Sequence, residues 1–166
     1  MSDNNFVKVF FVQKISEEEF EIESLWCEKF GDHFLIDNIP FVAKNVSSGD
    51  IIKATFDEEE KRYYFDDFIE NSGNSTIRVY ILDKSKREEL EKYILENNCE
   101  YEGFEQRNII AINVLKEADY KPLKNYLDIG ERRQFWSYEE SCLEHIIKKS
   151  QEISWDFCDL DRIQTC

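Results

Sequence analysis

Apolar and polar residues alternate with a period of two through most of the first half of the chain, the pattern of short, half-buried strands. Phe6 to Gln13 places Phe6, Lys8 and Phe10 on one face and Val7, Val9 and Phe11 on the other. Past the charged turn Glu17-Glu18-Glu19, a strand is predicted from Phe20 to Glu28, with Phe20, Ile22 and Trp26 sharing a face. Gly31-Asp32 turns the chain into a short strand from His33 to Asp37. Ser47-Ser48-Gly49-Asp50 opens a strand from Ile51 to Phe56, and Asp57-Glu58-Glu59-Glu60 is the tip of a hairpin returning through Arg62 to Ile69. Strands of this length and spacing predict a small antiparallel, barrel-like sheet over residues 1–75.

From residue 76 the pattern mixes periods. Thr76 to Leu82 reads as a strand, and Ser85 with Glu88 forms a capping box for a helix to about Asn97, buried along Leu90, Tyr93 and Ile94. Cys99–Phe104 and Asn108–Leu115 read as two antiparallel strands. Asp119 is the expected N-cap of a helix carrying Leu123, Tyr126 and Leu127, with Gly130 at its C′ position. A second capping box, Ser137 with Glu140, predicts a last helix whose inner face is Cys142, Leu143, Ile146 and Ile147. Strand, helix, strand, strand, helix is the order of a split βαβ, ferredoxin-like layer, with Ile153–Phe157 as its expected fourth strand. The fold class is therefore α+β: a β-rich subdomain over 1–75, then a ferredoxin-like subdomain over 76–166 with a C-terminal helix and tail.

Charge narrows the choice of partners. The 166 residues carry 21 Lys and Arg against 36 Asp and Glu, a net charge of −15. Such a surface repels nucleic acid and anionic membranes and attracts a basic protein. No apolar run approaches the ~18 residues a membrane span needs. The N-terminal Met1-Ser2-Asp3-Asn4-Asn5 shows no secretory signal. Five scattered cysteines without a C-x-x-C pair fit free thiols in a reducing cytoplasm.

Four landmarks recur in order: Leu25-Trp26-Cys27-Glu28, Asp37-Asn38-Ile39-Pro40-Phe41, Gly49-Asp50-Ile51-Ile52, and Ser72-Gly73-Asn74-Ser75-Thr76-Ile77-Arg78-Val79. Together, over roughly residues 24–115, they resemble the bacterial family catalogued as domain of unknown function 4265. The resemblance implies a small bacterial cytosolic protein with no established activity. Members of that family often carry a histidine near the position of Asn74, and any role of that imidazole is absent here. The landmarks also have local readings: Asn38 caps a turn, Pro40 holds Ile39 extended, and Gly49 and Gly73 supply permissive backbone.

Several constellations have the composition of chemical sites. Arg78 lies in an otherwise apolar strand, where a guanidinium needs a carboxylate; Asp37, Asp50, Asp66 and Asp67 are the expected partners. Facing a cleft between the two halves with Asp37, Asn38 and Tyr80, it would instead hold a small polar ligand. Cys27, His33 and Asp32 can be drawn as a nucleophile set, and Cys142 with His145 as two metal ligands completed by Cys158, Asp159 or Cys166; spacing supports neither, and no metal or cofactor is expected. Arg132-Arg133 with Phe135-Trp136 is the one basic–aromatic cluster; it could touch RNA, but in so acidic a chain it fits a helix end or a bridge to carboxylates. The acidic hairpin Asp57, Glu58, Glu59, Glu60, Tyr63, Tyr64, Asp66 and Asp67 fits either a solvated turn or a surface that grips Arg and Lys of a partner. With no catalytic motif present, the expected function is non-enzymatic: an immunity protein that plugs the positive groove of a cognate toxin, with a nuclease the expected class. The alternative is a small-ligand regulatory domain or small enzyme with its site at the junction. A deep junction pocket favours that alternative, acids massed on one outer face favour the binding protein, and a large exposed apolar patch favours a structural subunit.

Overall fold

The computed structural model describes residues 4–146. Its first sheet holds β1 (Phe6–Lys14), β2 (Phe20–Phe30), β3 (His33–Ile36), β4 (Ile51–Asp57) and β5 (Arg62–Glu70). Neighbours pair antiparallel in chain order, and β5 returns to β1 in parallel through Val9–Tyr63 and Phe10–Tyr64. The sheet is thus bonded in a ring, but that short parallel seam makes it less than the expected antiparallel barrel. Alternation fills the ring with Val9, Phe11, Leu25, Cys27, Phe34, Ile36 and Ile52. Ala43 and Val46, from the long connection between β3 and β4, join the same core.

The second sheet holds β6 (Ser75–Ile81), β7 (Glu100–Phe104), β8 (Ile109–Val114) and β9 (Trp136–Cys142), in the order β7-β8-β6-β9 and antiparallel throughout. Helices α1 (Arg87–Glu96) and α2 (Lys121–Arg132) cover one face. Leu90 and Ile94 of α1 and Leu123 and Leu127 of α2 pack there against Ile77, Val79, Ile110, Ile112 and Val114. The molecule is α+β, with two mostly antiparallel sheets and two helices. Among the described residues no helix is long and apolar enough to cross a membrane.

Three local expectations are corrected. The helix predicted from Ser137 is β9, which supplies the fourth strand; the earlier candidate, Ile153–Phe157, lies outside the described residues, as does Ile147. Strand wins because Trp136 is buried on the helix face while Ser137 is exposed, and because the open edge of β6 takes up this backbone. Gly130 is not a C′ residue but lies inside α2, where a Cβ would stand 2.0 Å from the Trp136 ring. The indole lies in that gap and donates to the Leu127 carbonyl at 3.0 Å. Asp83, not Ser85, caps the first turn before α1, accepting from the Ser85 amide at 3.0 Å. Asp119 does accept from the Lys121 amide at the start of α2.

Along β6 and β8 the second face of this sheet, opposite the helices, is buried as well. Thr76, Arg78, Ile109, Ala111 and Asn113 are all nearly inaccessible. The long connection between β3 and β4 crosses this face, placing Phe41 against Phe104 and the Asn45 amide on the Ser141 carbonyl.

The Gly130–Trp136 contact yields a stability prediction. Gly130→Ala should cost about 3 kcal/mol through steric conflict with the indole, read as a lower urea midpoint with an unchanged slope. A loss under ~0.5 kcal/mol, the scale of a neutral surface change, would contradict this packing.

Candidate functional site at the sheet junction

The two sheets are joined through Asp50, a carboxylate 1% exposed. It accepts from the Ser47 amide at 2.8 Å, the Ser72 amide at 2.8 Å and the Ser72 hydroxyl at 2.9 Å. Gly49, at φ +87, makes the preceding turn, which a side chain would strain. Ser47 then reaches the second sheet, its hydroxyl 2.7 Å from that of Thr76. Asn74 completes the clasp, donating to the Ser48 carbonyl and accepting from the Lys116 amide, both at 2.8 Å. An amide suits this position because it supplies a donor and an acceptor at once. Burial raises the Asp50 pKa above the ordinary aspartate range, and nearby Glu144 adds to this; the Ser47 and Ser72 donors oppose it without reversing it.

A second carboxylate shapes the connecting loop. Glu23 accepts from the amides of Phe41, Val42 and Ala43 at 2.7, 2.8 and 2.8 Å, a nest closed by the protein's own anion. Held there, the loop presents Phe41, Val42 and Lys44 to the second sheet. Between them lies a recess of about 250 Å³, also lined by Ile15, Glu21, Arg78, Tyr80, Arg107, Ile109 and Glu139. Arg78, with 2% of its side chain exposed, donates from Nε to Glu139 Oε1 at 2.7 Å. Tyr80 donates to the same oxygen at 3.1 Å. Burial, then the Glu139 charge, raises the Tyr80 pKa, so the hydroxyl keeps its proton at neutral pH. Arg107 pairs with Glu21 across the rim.

Of the ligand residues expected at the junction, Arg78 and Tyr80 line the recess and Asp37 and Asn38 do not. Those two border a separate shallow notch with Asn4, Phe6 and Trp26, where Asn38 accepts from the Trp26 amide at 2.7 Å. The partner of Arg78 is Glu139 rather than Asp37, Asp50, Asp66 or Asp67. Glu139 was missed because its segment reads as a helix, which hides that it faces Arg78 across paired strands. The roles of Lys44 and Arg107 follow only from the loop's path.

The acidic hairpin is present, but much of its charge is used locally. Asp57 caps the tip by accepting from the Glu59 and Glu60 amides. Glu58 pairs with Lys61, Glu60 with Arg62 and the Tyr64 hydroxyl, and Asp66 with Lys53. Asp67 accepts from the Phe68 amide, and Glu59 is exposed. Tyr64 lies outside against Phe10, whereas Tyr63 packs between Phe34 and Phe56 as part of the ring core. Exposed carboxylates also stand on α1, α2 and the 17–19 turn, so the acids are carried by both halves.

The other constellations separate. Cys27 points into the ring with Phe34 and Ile36, which puts His33 on the opposite face of the β2–β3 hairpin. Burial, assisted by Asp37, pushes the Cys27 thiol up to about 12, and burial with Glu100 pushes Cys99 to about 11. Cys142 ends β9 and so is not on a helix with His145. His145 is held between the Ser75 hydroxyl at 2.6 Å and the Leu115 carbonyl at 2.9 Å. That serine is fully buried and its oxygen also accepts from the Glu144 and His145 amides, so the pair is a structural clasp. Among the described residues no His, Cys, Asp and Glu gather in a metal-binding group; Cys158, Asp159 and Cys166 lie outside them. Arg132 and Arg133 are exposed at the end of α2.

Most residues of the junction fall within one family pattern. The pattern described as Domain of unknown function (DUF4265) matches residues 23–138. The chain belongs to the DUF4265 family. The match begins at Glu23, spans Asp50, Arg78 and Arg107, and ends one residue before Glu139. It therefore reaches beyond the resemblance at 24–115, through α2 and into β9. The DUF4265 chain is also similar to a solved structure titled "Novel crystal structure of a hypothetical protein from Neisseria gonorrhoeae", with a TM-score of 0.73 and 29% identity over 84% of this chain and 96% of that one. No curated protein matches the chain.

Two outcomes follow from these environments. The folded Asp50 holds its proton to higher pH than the unfolded one. Its contribution to stability is therefore present at low pH and is lost as pH rises through the folded pKa. The stability of the wild type minus that of Asp50→Asn should fall as pH rises through this window, measured by urea denaturation; a constant or growing difference would contradict it. Peptide-resolved alkylation at pH 8 should find Cys27 and Cys99 protected roughly 100-fold or more against the urea-unfolded chain. Rapid native labelling of Cys27 would restore it as a candidate nucleophile.

Proposed function

We propose that this chain is a non-enzymatic binding protein for a basic protein partner, most concretely an immunity protein that neutralises a cognate toxin, with a nuclease the best-fitting class. The observation that carries the reading is the outer face of β1 and β2. Val12, Phe20, Ile22 and Trp26 are 53%, 62%, 55% and 44% exposed. In the antiparallel register Val12 faces Ile22, Lys14 faces Phe20 and Lys8 faces Trp26. A contiguous exposed apolar patch of this kind marks an interaction surface, the feature expected of a structural subunit, and with acids on both halves it is the charge at its rims that favours a steered basic partner instead.

Charge selects the occupant. The turn holding Glu17, Glu18 and Glu19 closes one end of this face. Because β5 runs parallel to β1 from Tyr63 beside Val9, the Asp57–Glu60 tip lies toward the other end. An apolar centre bracketed by carboxylates suits a partner with an apolar patch between Lys and Arg, steered in electrostatically. A second copy about a two-fold axis would bring the same acidic turns together, which disfavours self-association as the purpose of the patch. The acidic hairpin thus serves as one rim of a wider surface. The buried, protonated thiols and the fully engaged His145 support a non-catalytic role.

The finer fold reading belongs here too. The β-α-β-β-α-β order, the strand order β7-β8-β6-β9 and both helices on one face support a ferredoxin-like second layer. Residence in a bacterial cytoplasm is part of the same proposal, supported by the free thiols Cys27, Cys99 and Cys142.

The test is isolation of the tagged chain from its host. The expected partner is a basic protein that is toxic when expressed alone and is neutralised by the wild type but not by Ile22→Lys, a variant that keeps the native circular dichroism. Its association rate should fall ~10-fold or more between low and high salt. A salt-independent rate would reject electrostatic steering, and a dimer dissolved by Ile22→Lys with no toxin relieved would assign the patch to self-assembly.

A further inference from the structure

The junction recess has a chemistry opposite to that of the whole chain. In a protein of net charge −15, its lining holds three cations, Lys44, Arg78 and Arg107, against two carboxylates, Glu21 and Glu139. Each carboxylate is already taken, Glu139 by Arg78 Nε and the Tyr80 hydroxyl, Glu21 by Arg107. Lys44 forms no ion pair among the described residues.

Arg78 is the decisive group. A guanidinium presents five N–H donors in a rigid fork, and Arg78 spends one on Glu139. Its terminal amino groups have no hydrogen-bond partner among the described residues, although only 2% of the side chain is exposed. They belong to the wall of a recess also lined by the apolar Ile15, Phe41 and Val42, with Ile109 beside Tyr80 on the same sheet face. Among the described residues the buried polar side-chain atoms without a partner are Asn113 Oδ1 and Ser141 Oγ, so the Arg78 amino groups keep the little surface they have toward the recess they line. Here the protein leaves the fork open toward a cavity, with Arg107 and Lys44 at the mouth. The recess is held by structure that does not depend on a ligand: the Glu23 nest fixes Phe41 and Val42, and Asp50 fixes the approach of the sheets.

We infer that this recess binds a small organic anion, a carboxylate or phosphoryl group joined to a compact apolar body. The anionic group would meet the open edge of Arg78 with Arg107 and Lys44, and the apolar body would lie on Phe41, Val42 and Ile109. The volume of about 250 Å³ falls just under the roughly 300 Å³ at which drug-sized pockets begin, so the ligand is small. This site is separate from the outer face of β1 and β2, and neither reading depends on the other.

The experiment is an amide-resolved NMR titration of the full chain with sodium benzoate and with inorganic phosphate, using sodium chloride as the ionic-strength control. The expected result is a saturable shift with at least one probe at Val42, Lys44, Tyr80 and Ile109, not reproduced by chloride. Saturation by benzoate alone assigns a carboxylate ligand, and by phosphate alone a phosphoryl ligand. Arg107→Gln and Lys44→Gln, both at exposed positions, should each weaken binding ~3-fold or more, and Arg78→Lys, which keeps the charge but loses the fork, ~10-fold or more. Lys121→Gln, far from the recess on α2, should leave it unchanged. If Arg78→Lys fails to fold, the two exposed variants decide. Shifts that are absent, that match chloride, or that survive both exposed variants would overturn the proposal. A chain that binds neither probe yet still neutralises a basic partner would refute this inference alone.

Discussion

One buried carboxylate sets the arrangement of the whole molecule. Asp50 draws the Ser47 and Ser72 amides onto itself, and those loops enter and leave the two sheets. A charged group in this position is costly to desolvate and is tolerated only when its oxygens are hydrogen-bonded. With three donors to it, the clasp is specific: apolar replacement would fill the volume but would leave two backbone amides without acceptors. The second sheet needs this clasp because its central strands, β6 and β8, are buried on both faces. Helices cover one face. The other, with Thr76, Arg78 and Asn113 buried among Ile109 and Ala111, must be covered by the ring and its long connecting loop.

Much of this was legible in the sequence, and the gaps have physical causes. The first eight strands stand close to where the sequence places them: most because one face meets a core and alternates, β6 and β8 because runs of strand-favouring residues are buried on both faces. The landmarks around Gly49-Asp50 and Ser72-Gly73-Asn74 read as turns, and turns they are. Their joint role as a clasp could not be read, since it depends on two loops more than twenty residues apart meeting in space. β9 was misread because Ser137 and Glu140 mimic a helix start. The competing signal was Trp136, whose indole occupies the gap above Gly130. That misreading also hid Glu139, and with it the partner of Arg78. Nothing local marks Glu23 as the anchor of the 41–43 amides, because one glutamate in an acidic strand looks like any other.

The surfaces left by this architecture differ in kind. Outside the ring, Phe20, Ile22 and Trp26 stay exposed although the chain has ample polar residues to replace them, and acidic turns bracket them. At the junction, cations gather around a recess in an otherwise acidic molecule. The first surface fits a protein and the second fits a small anion. Both rest on the clasp: the ring is held against the second sheet by it, and the recess exists only while that spacing is kept.

Native-state hydrogen exchange tests this dependence most directly. If the clasp makes the two sheets one cooperative unit, the slowest amides of β1 and β2 and those of β6 and β8 exchange with the same opening free energy, within ~0.5 kcal/mol. Exchange in the ring that is faster than in the second sheet by several kcal/mol, with β6 and β8 unaffected, would show two independent units and contradict the account.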